Sequence, residues 1–529
     1  MSQLSSADHS VSPPVIEIPR DYNAAHDLLE RNLRAGRAKK PAYIDDESSC
    51  TYGELAERVN RCANALTALG LRMEQRVLLC ALDGIDWPTA FLGAIKAGIV
   101  PVAVNTLLTP ADYDYMLRDS RAQALIVSSS LLPKFDSALA QVRDAGRVIV
   151  TGNPVAGHSS FSHLLQSAAT EFEPAATTAD DSCFWLYSSG STGAPKGTVH
   201  VHSSLIETAE LYARPVLGIR EDDLVFSVPK LFFAYGLGNS LSFPLAVGAT
   251  AVLMAERPTP EAVFARLIRH RPSILCAVPT IYAAMLAHAA LPARAATRLR
   301  ACVSAGEPLP EEIGRRWHRH FDVDILDGLG STEMLHIFLS NRPGDVQYGT
   351  TGRPVPGYRV RVVNEDGVEL PPGEIGELQA SGPTSAAQYW NNRAKSRATF
   401  QGAWLRTGDK YSRTPEGRYV YAGRSDDMLK VSGMYVSPAE VESALITHDA
   451  VLEAAVVGRV DGDGLTKPIA YVVLKAERAG SDELAAELKS HVKTRLAPFK
   501  YPRWIEFVAA LPKTATGKIQ RFRLRERQG

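Results

Sequence analysis

Residues 187–197, YSSGSTGAPKG, gather hydroxyls, glycines and one ammonium group into eleven positions. Backbone amides and the hydroxyls of Ser188, Ser189, Ser191 and Thr192 can wrap phosphate oxygens, and Lys196 adds a point charge. Gly190 and Gly193 let the backbone approach a ligand closely and tolerate φ > 0. The chemistry this implies is the binding of nucleotide phosphates. The common phosphate loop, GxxxxGK[ST], puts a Gly directly before the Lys; here Pro195 stands there and Gly197 follows. A Ser/Gly-rich run is more often a linker. The apolar run 183–187 before it reads as a buried strand, and with the single Lys it argues for a ligand loop.

Four more segments follow in order: DGLGSTE at 327–333, LRTGD at 405–409, GRSDDMLKVSG at 423–433 and PKTATGK at 512–518. The five together resemble the ordered motifs of the adenylate-forming enzymes: acyl- and aryl-CoA synthetases, peptide-synthetase adenylation domains and luciferases. The resemblance covers nearly the whole chain, and its details are most similar to the benzoate-CoA ligases.

That resemblance implies roles at matching positions. Ser188, Ser189, Gly190, Ser191, Thr192, Gly193 and Lys196 would hold the β- and γ-phosphates of ATP, and Thr332 and Glu333 would meet the α-phosphate and Mg²⁺. One carboxylate plus phosphate oxygens and water suits Mg²⁺. Asp327 would face the adenine amino group, with Gly328 beside it and Ala305, Gly306 and Glu307 as the opposite wall. Where the family stacks an aromatic ring on adenine, this chain has Leu329. Asp409 would accept both ribose hydroxyls, and Arg424 would reach ribose or phosphate. Lys518 would bridge the substrate carboxylate and the nucleotide, stabilising charge in the transition state. In the family a small domain rotates about a residue matching Asp426. This withdraws the cation and brings in Lys430, Ser432 and Gly433 to form the thiol tunnel of coenzyme A. Phe499 and Arg503 resemble contacts to the CoA nucleotide, with Tyr501 where a second base is expected. Ordinary surface charge is the alternative for these basic residues.

Residues 231–245, LFFAYGLGNSLSFPL, are aromatic, small and uncharged. With Gly328–Ile337 they suit a flat slot for a small aryl acid and offer no cation for a second carboxylate. The matching positions are Ala234, Tyr235, Phe243, His336 and Ile337, with Gly328 and Gly330 leaving room for a ring. Simple core packing is the alternative, most plainly for Phe232. His200 and His202, at strand spacing, read as structural because nothing supplies a third metal ligand.

These residues need elements to position them. At 529 residues the chain exceeds one core, so two or more domains are expected. Thr51–Glu54 form a capping box before a helix. RVLLCAL, VPVAVN, ALIVSSS, FWLYSS, DLVFSVP, TAVLMA, SILCAVP and ACVSAG read as strands alternating with helices. The expectation is an α/β fold: a large N-terminal domain of mostly parallel sheets with flanking helices, then a small antiparallel subdomain. Residues 1–423 would form that domain, 424–428 a hinge, and 429–529 a mobile α+β domain. A second capping box is expected at Ser437–Glu440, and a helix at 482–496.

Lys+Arg and Asp+Glu are equal at 58 each, so no basic excess points to nucleic acid or an anionic membrane. Six scattered cysteines read as reduced thiols in a cytoplasm. The uncharged stretches 231–255 and 273–293 are long enough to span a membrane, but their turn formers argue for core segments. The resulting expectation is a cytoplasmic, ATP-dependent ligase of benzoate and coenzyme A, monomer or homodimer. A stand-alone aryl-adenylating enzyme that loads a carrier protein is the alternative, and a non-catalytic nucleotide-binding homologue the rival.

Overall fold

The computed structural model describes residues 4–139, 147–190, 193–425, 427–431, 434–462, 465–476, 478–497, 500–513 and 519–527. Two sheets form the large domain. In the first, Arg76–Cys80 lies between Val100–Ala103 and Ala124–Ser128, all parallel, and Val148–Thr151 continues it. These strands are buried on both faces, so they read as unbroken apolar runs rather than alternating ones. Ser182–Gly190 adds parallel to Val100–Ala103, then pairs antiparallel with Gly193–Val201. The phosphate segment is thus a β-hairpin at a sheet's end.

The second sheet runs parallel through Thr250–Val252, Leu224–Ser227, Ile274–Ala277, Ala301–Ala305 and Ile325–Gly330, then antiparallel to Ile337–Ser340. The helix Tyr52–Ala68 starts at the expected box: the Thr51 side chain accepts from Glu54 N–H, and Glu54 reciprocates. The uncharged stretches fold into short helices and buried strands. Among the described residues no helix is long and apolar enough to cross a membrane.

Arg359–Val363, Gly376–Ser381, Trp404–Arg413 and Tyr419–Arg424 form the antiparallel subdomain. Arg424, expected to open the hinge, is therefore a strand residue paired with Asp409, as Gly423 is with Lys410. The last hundred residues hold a core of their own, including Val436, Val441, Leu445, Val456, Val472 and Leu488. There Val451–Val460 pairs antiparallel with Thr466–Leu474, which pairs parallel with Trp504–Phe507. Helices Pro438–Ile446 and Asp482–Lys493 belong to this unit, the latter ending before residue 496. The second capping box is only half made. Ser437 accepts from Glu440 N–H, but the Glu440 carboxylate turns to Lys500, at 2.6 and 2.8 Å. A full charge on the ammonium outcompetes a lone backbone N–H.

Candidate active site

The hairpin places Ser188 directly opposite Lys196 and Gly190 opposite Gly193. Directly paired residues share a face, so the hydroxyl and the ammonium lie side by side. The helix Pro110–Ser120 braces this hairpin: Tyr115 donates to the Pro195 carbonyl at 3.2 Å, and Tyr187 to Asp119 Oδ2 at 2.7 Å. Glu333 Oε1 accepts from the Tyr389 hydroxyl at 2.8 Å and from Ser188 Oγ at 3.4 Å. Lys196 Nζ sits 4.7 Å from the centre of the Tyr389 ring. Burial pulls the Lys196 ammonium below its ordinary value, and Glu333 opposes the shift. His200 Nε2 lies 2.8 Å from the Thr332 carbonyl. Burial holds that imidazole neutral, down to about 4, and the carbonyl only accepts, so Nε2 carries the proton. His200 thus ties the hairpin to Thr332 and Glu333. His202 Nδ1 accepts from Ala24 N–H. Among the described residues no group of three His, Cys, Asp or Glu side chains is placed to hold a metal.

Behind this lies a second wall. Ser304 and Asp327 are neighbours on adjacent parallel strands, as are Ala305 and Gly328. Gly306, at φ +93°, turns the chain out of the sheet. Asp327 is 6% exposed, and its Oδ1 has no hydrogen-bond partner among the described residues. Burial pushes its carboxyl up to about 8, against a backbone hydrogen bond from Leu309. An orphaned buried acceptor beside a half-buried Leu329 fits the amino edge of an apolar-flanked base. Asp409 pairs with Arg424 across two strands, Oδ1 to Nη1 at 3.2 Å. Gly408 favours this position because its φ of +75° is a left-handed conformation that a side chain would strain. Glu307 Oε1 accepts from Ile519 N–H at 3.2 Å, so the small domain docks its chain against the end of the strand Ala301–Ala305.

The acyl segment surrounds His336. Its ring centre lies 4.5 Å from Phe243, 5.5 Å from Tyr235 and 5.4 Å from Tyr212. Nε2 donates to the Tyr235 carbonyl at 3.2 Å, and burial pushes the imidazole down to about 3. Tyr235 donates its own hydroxyl to the Val303 carbonyl at 3.0 Å. Ala234 and Tyr235 are partly exposed, whereas Phe243 and Ile337 are fully buried. Phe232 is core at 6% exposed. Neither glycine faces open space on its Cβ side. A Cβ at Gly328 would sit 2.9 Å from Ile337, and one at Gly330 2.7 Å from the His336 carbonyl. Their missing side chains admit the neighbouring strand instead.

Arg503 lies 4.5 Å above the Tyr501 ring and Lys493 4.1 Å from the same ring. The second base near Tyr501 comes from the helix Asp482–Lys493. Ser191, Thr192, Asp426, Ser432, Gly433, Phe499 and Lys518 lie outside the described residues. Ser189, Gly190, Gly193 and Lys430 are described as strand backbone only. Sequence reasoning missed Tyr389 and Tyr212, and gave His200 no partner. Each meets the site from far along the chain: Tyr389 lies 56 residues from Glu333, and Tyr212 and His200 lie more than a hundred from His336 and Thr332. A lone aromatic or His carries no motif to mark it.

Mg²⁺ suits this donor set. No hydrogen bond among the described residues reaches Glu333 Oε2, and the residue is part-exposed beside Lys196 and Ser188. One free carboxylate oxygen, completed by phosphate oxygens and water, is what such an ion takes.

Comparison with known proteins agrees with this geometry. Residues 29–390 match the model of the AMP-binding enzyme family, and residues 440–518 that of the AMP-binding enzyme C-terminal domain. A benzoate–CoA ligase of Thauera aromatica is 66% identical over 527 residues, 99% of this chain and 100% of that protein. A 4-hydroxybenzoate–CoA/benzoate–CoA ligase of Rhodopseudomonas palustris (strain ATCC BAA-98 / CGA009) is 51% identical over 96% of this chain and 94% of its own length. The solved structure of a benzoate CoA ligase from Burkholderia xenovorans LB400 superposes with a TM-score of 0.90 at 59% identity, covering 95% of this chain and 100% of that one. With both domains matched in order and relatives aligned from end to end, this chain belongs to the AMP-binding enzyme family.

Proposed function

We propose that this chain is an ATP-dependent benzoate–CoA ligase. The observation that carries the reading is the 66% identity, over 99% of the chain, to a benzoate–CoA ligase. It does not favour the carrier-loading alternative. A benzoate carboxylate oxygen attacks the α-phosphorus of ATP and pyrophosphate leaves, giving benzoyl-adenylate. The thiol of coenzyme A then attacks the acyl carbonyl carbon, and AMP leaves with the C–O bonding pair.

In the first step Lys196 and the Ser188 hydroxyl hold the departing phosphates. Glu333 would carry Mg²⁺ beside them, and the ion's chemistry is to neutralise charge on the phosphate oxygens. His200 fixes the backbone at Thr332. Asp327 takes the base and Asp409 the ribose, with Arg424 holding that carboxylate in place. The slot around Ala234, Tyr235, Phe243, His336 and Ile337 buries the ring and excludes water from the carboxylate. Lys518 enters with the small domain for adenylation and leaves with it for thioester formation, when Lys430, Ser432, Gly433, Phe499 and Arg503 approach CoA.

The test is AMP release across small carboxylic acids, with and without CoA. Benzoate should be fastest and fluorobenzoates close behind, because fluorine is nearly isosteric with hydrogen, whereas a methylene-sized misfit costs about 1–3 kcal/mol. Acetate should be slow because it forfeits ring burial. Faster release with acetate or palmitate than with benzoate would reject the assignment.

A further inference from the structure

Two opposite charges stand at the phosphate site, Lys196 and Glu333, and each is useful only if the other does not neutralise it. A Lys and a Glu that share a neighbour would ordinarily be drawn together. Here they do not: among the described residues Lys196 and Glu333 form no ion pair, and both meet Tyr389 instead. The Tyr389 hydroxyl donates to Glu333 Oε1 at 2.8 Å, and its ring carries the Lys196 ammonium at 4.7 Å from the centre. One side chain takes the carboxylate by its polar tip and the ammonium by its π face.

Tyr389 is held firmly enough to do this. It belongs to the two-residue strand Gln388–Tyr389, paired with Thr198 and Val199 of the phosphate hairpin. The next residue, Trp390, donates its N–H to the Gly197 carbonyl at 2.7 Å, one position past Lys196. The side chain is 3% exposed and its ring packs 5.3 Å from Phe400. A phenol is protonated at neutral pH, so its hydroxyl can donate to Glu333.

We propose that Tyr389 is a positioning residue that keeps Lys196 and Glu333 apart and oriented, Lys196 toward phosphate and Glu333 Oε2 toward a divalent cation. The inference rests on the nucleotide reading of this site. Removing the hydroxyl frees Glu333 to swing onto Lys196. The cation then loses a ligand, and phosphate loses part of a charge. Removing the ring also leaves the ammonium without its platform.

The experiment compares Tyr389→Phe and Tyr389→Leu with the unaltered full-length chain. Binding of Mn²⁺ is followed by electron paramagnetic resonance in the presence of α,β-methylene-ATP, and binding of the analogue alone by calorimetry. Tyr389→Phe should weaken Mn²⁺ binding about tenfold, the size expected for a hydrogen bond to a charged group. It should weaken metal-free analogue binding by less than that, because the ring still carries the ammonium while Glu333 takes only part of its charge. Tyr389→Leu should weaken both. Thioester formation from pre-made benzoyl-adenylate should stay close to that of the unaltered chain in both variants, since neither charge acts there. Mn²⁺ binding unchanged in Tyr389→Phe, or equal losses in both half-reactions, overturns the proposal. If thermal unfolding shows that Tyr389→Leu does not fold, Tyr389→Phe alone decides. These binding measurements need no turnover of benzoate, so a wrong acid assignment would leave them intact and show only as absent AMP release.

Discussion

Ala234 is a small, partly exposed side chain at the start of the short helix Ala234–Leu237, beside the aromatic cage of His336. Enlarging it acts on the acid and not on the nucleotide. Ala234→Leu should raise KM for benzoate by about tenfold or more while KM for ATP stays near its original value, given that a methylene-sized misfit costs about 1–3 kcal/mol. Steady-state kinetics with each substrate varied in turn checks it; equal rises in both KM values would move Ala234 out of the slot. Asp327 offers a second test. Its carboxyl is held near 8 by burial, far above the roughly 3.9 of an unfolded aspartate. The folded state therefore keeps a proton that the unfolded state releases. This contribution is fully present below about pH 4 and is lost as pH rises through about 8. Asn cannot ionise, so Asp327→Asn should gain stability over the original chain as pH goes from 5 to 8. A difference in ligand-free unfolding midpoint that does not vary with pH would refute it.

The strands and caps that carry these residues were largely legible from the sequence. Apolar runs such as RVLLC marked strands buried on both faces, and Thr51 with Glu54 marked a helix start that is fully made. The second box failed because its Glu440 had a stronger partner, Lys500, sixty residues away, which no local pattern reveals. Gly328 and Gly330 make a related point. A missing side chain leaves space, but sequence does not say whether a ligand or the next strand fills it. We propose that the segment after Arg424 carries the family's hinge; the small domain beyond it rests on the large one through Glu307 and Ile519. Lys518 is the next residue back along that strand of chain. Lys518→Ala should lower adenylation by roughly 10²–10³ while sparing thioester formation from benzoyl-adenylate. Glu307→Ala should change the two half-reactions in the same directions, by less, because it only loosens the docking. Single-turnover assays of each half-reaction decide it, and equal loss in both would deny that the two steps use different domain arrangements.

Across the large domain, five buried titratable groups and the half-buried Glu207 pull stability in opposite directions. Burial holds His200, His202 and His336 neutral down to about 4, 4 and 3. It holds Asp83, Glu207 and Asp327 protonated up to about 6, 7 and 8. Below about pH 6.5 an unfolded chain protonates its histidines while the folded chain does not, so the three histidines make stability rise with pH. Above about pH 4.5 an unfolded chain ionises its acids while the folded chain does not, so the three acids make stability fall with pH. From about pH 4.5 to 6 the two sets offset one another, three protons against three. Below that window the acids are protonated in both states and only the histidines act, so stability drops toward pH 4. Above about 6.5 the histidines are neutral in both states, and Glu207 and Asp327 act alone, so stability drops toward pH 8. Each uncompensated proton is worth about 1.4 kcal/mol per pH unit. The unfolding midpoint of the ligand-free large domain should therefore form a plateau between about pH 4.5 and 6 and fall on both sides. The double variant Asp327→Asn, Glu207→Gln should keep the acid-side fall and lose most of the fall from 6.5 to 8. Differential scanning calorimetry across pH 3.5 to 8 is the measurement. A midpoint that climbs steadily from about pH 4.5 to 8 in the original chain would mean that these acids ionise freely in the fold, and that burial does not hold their protons.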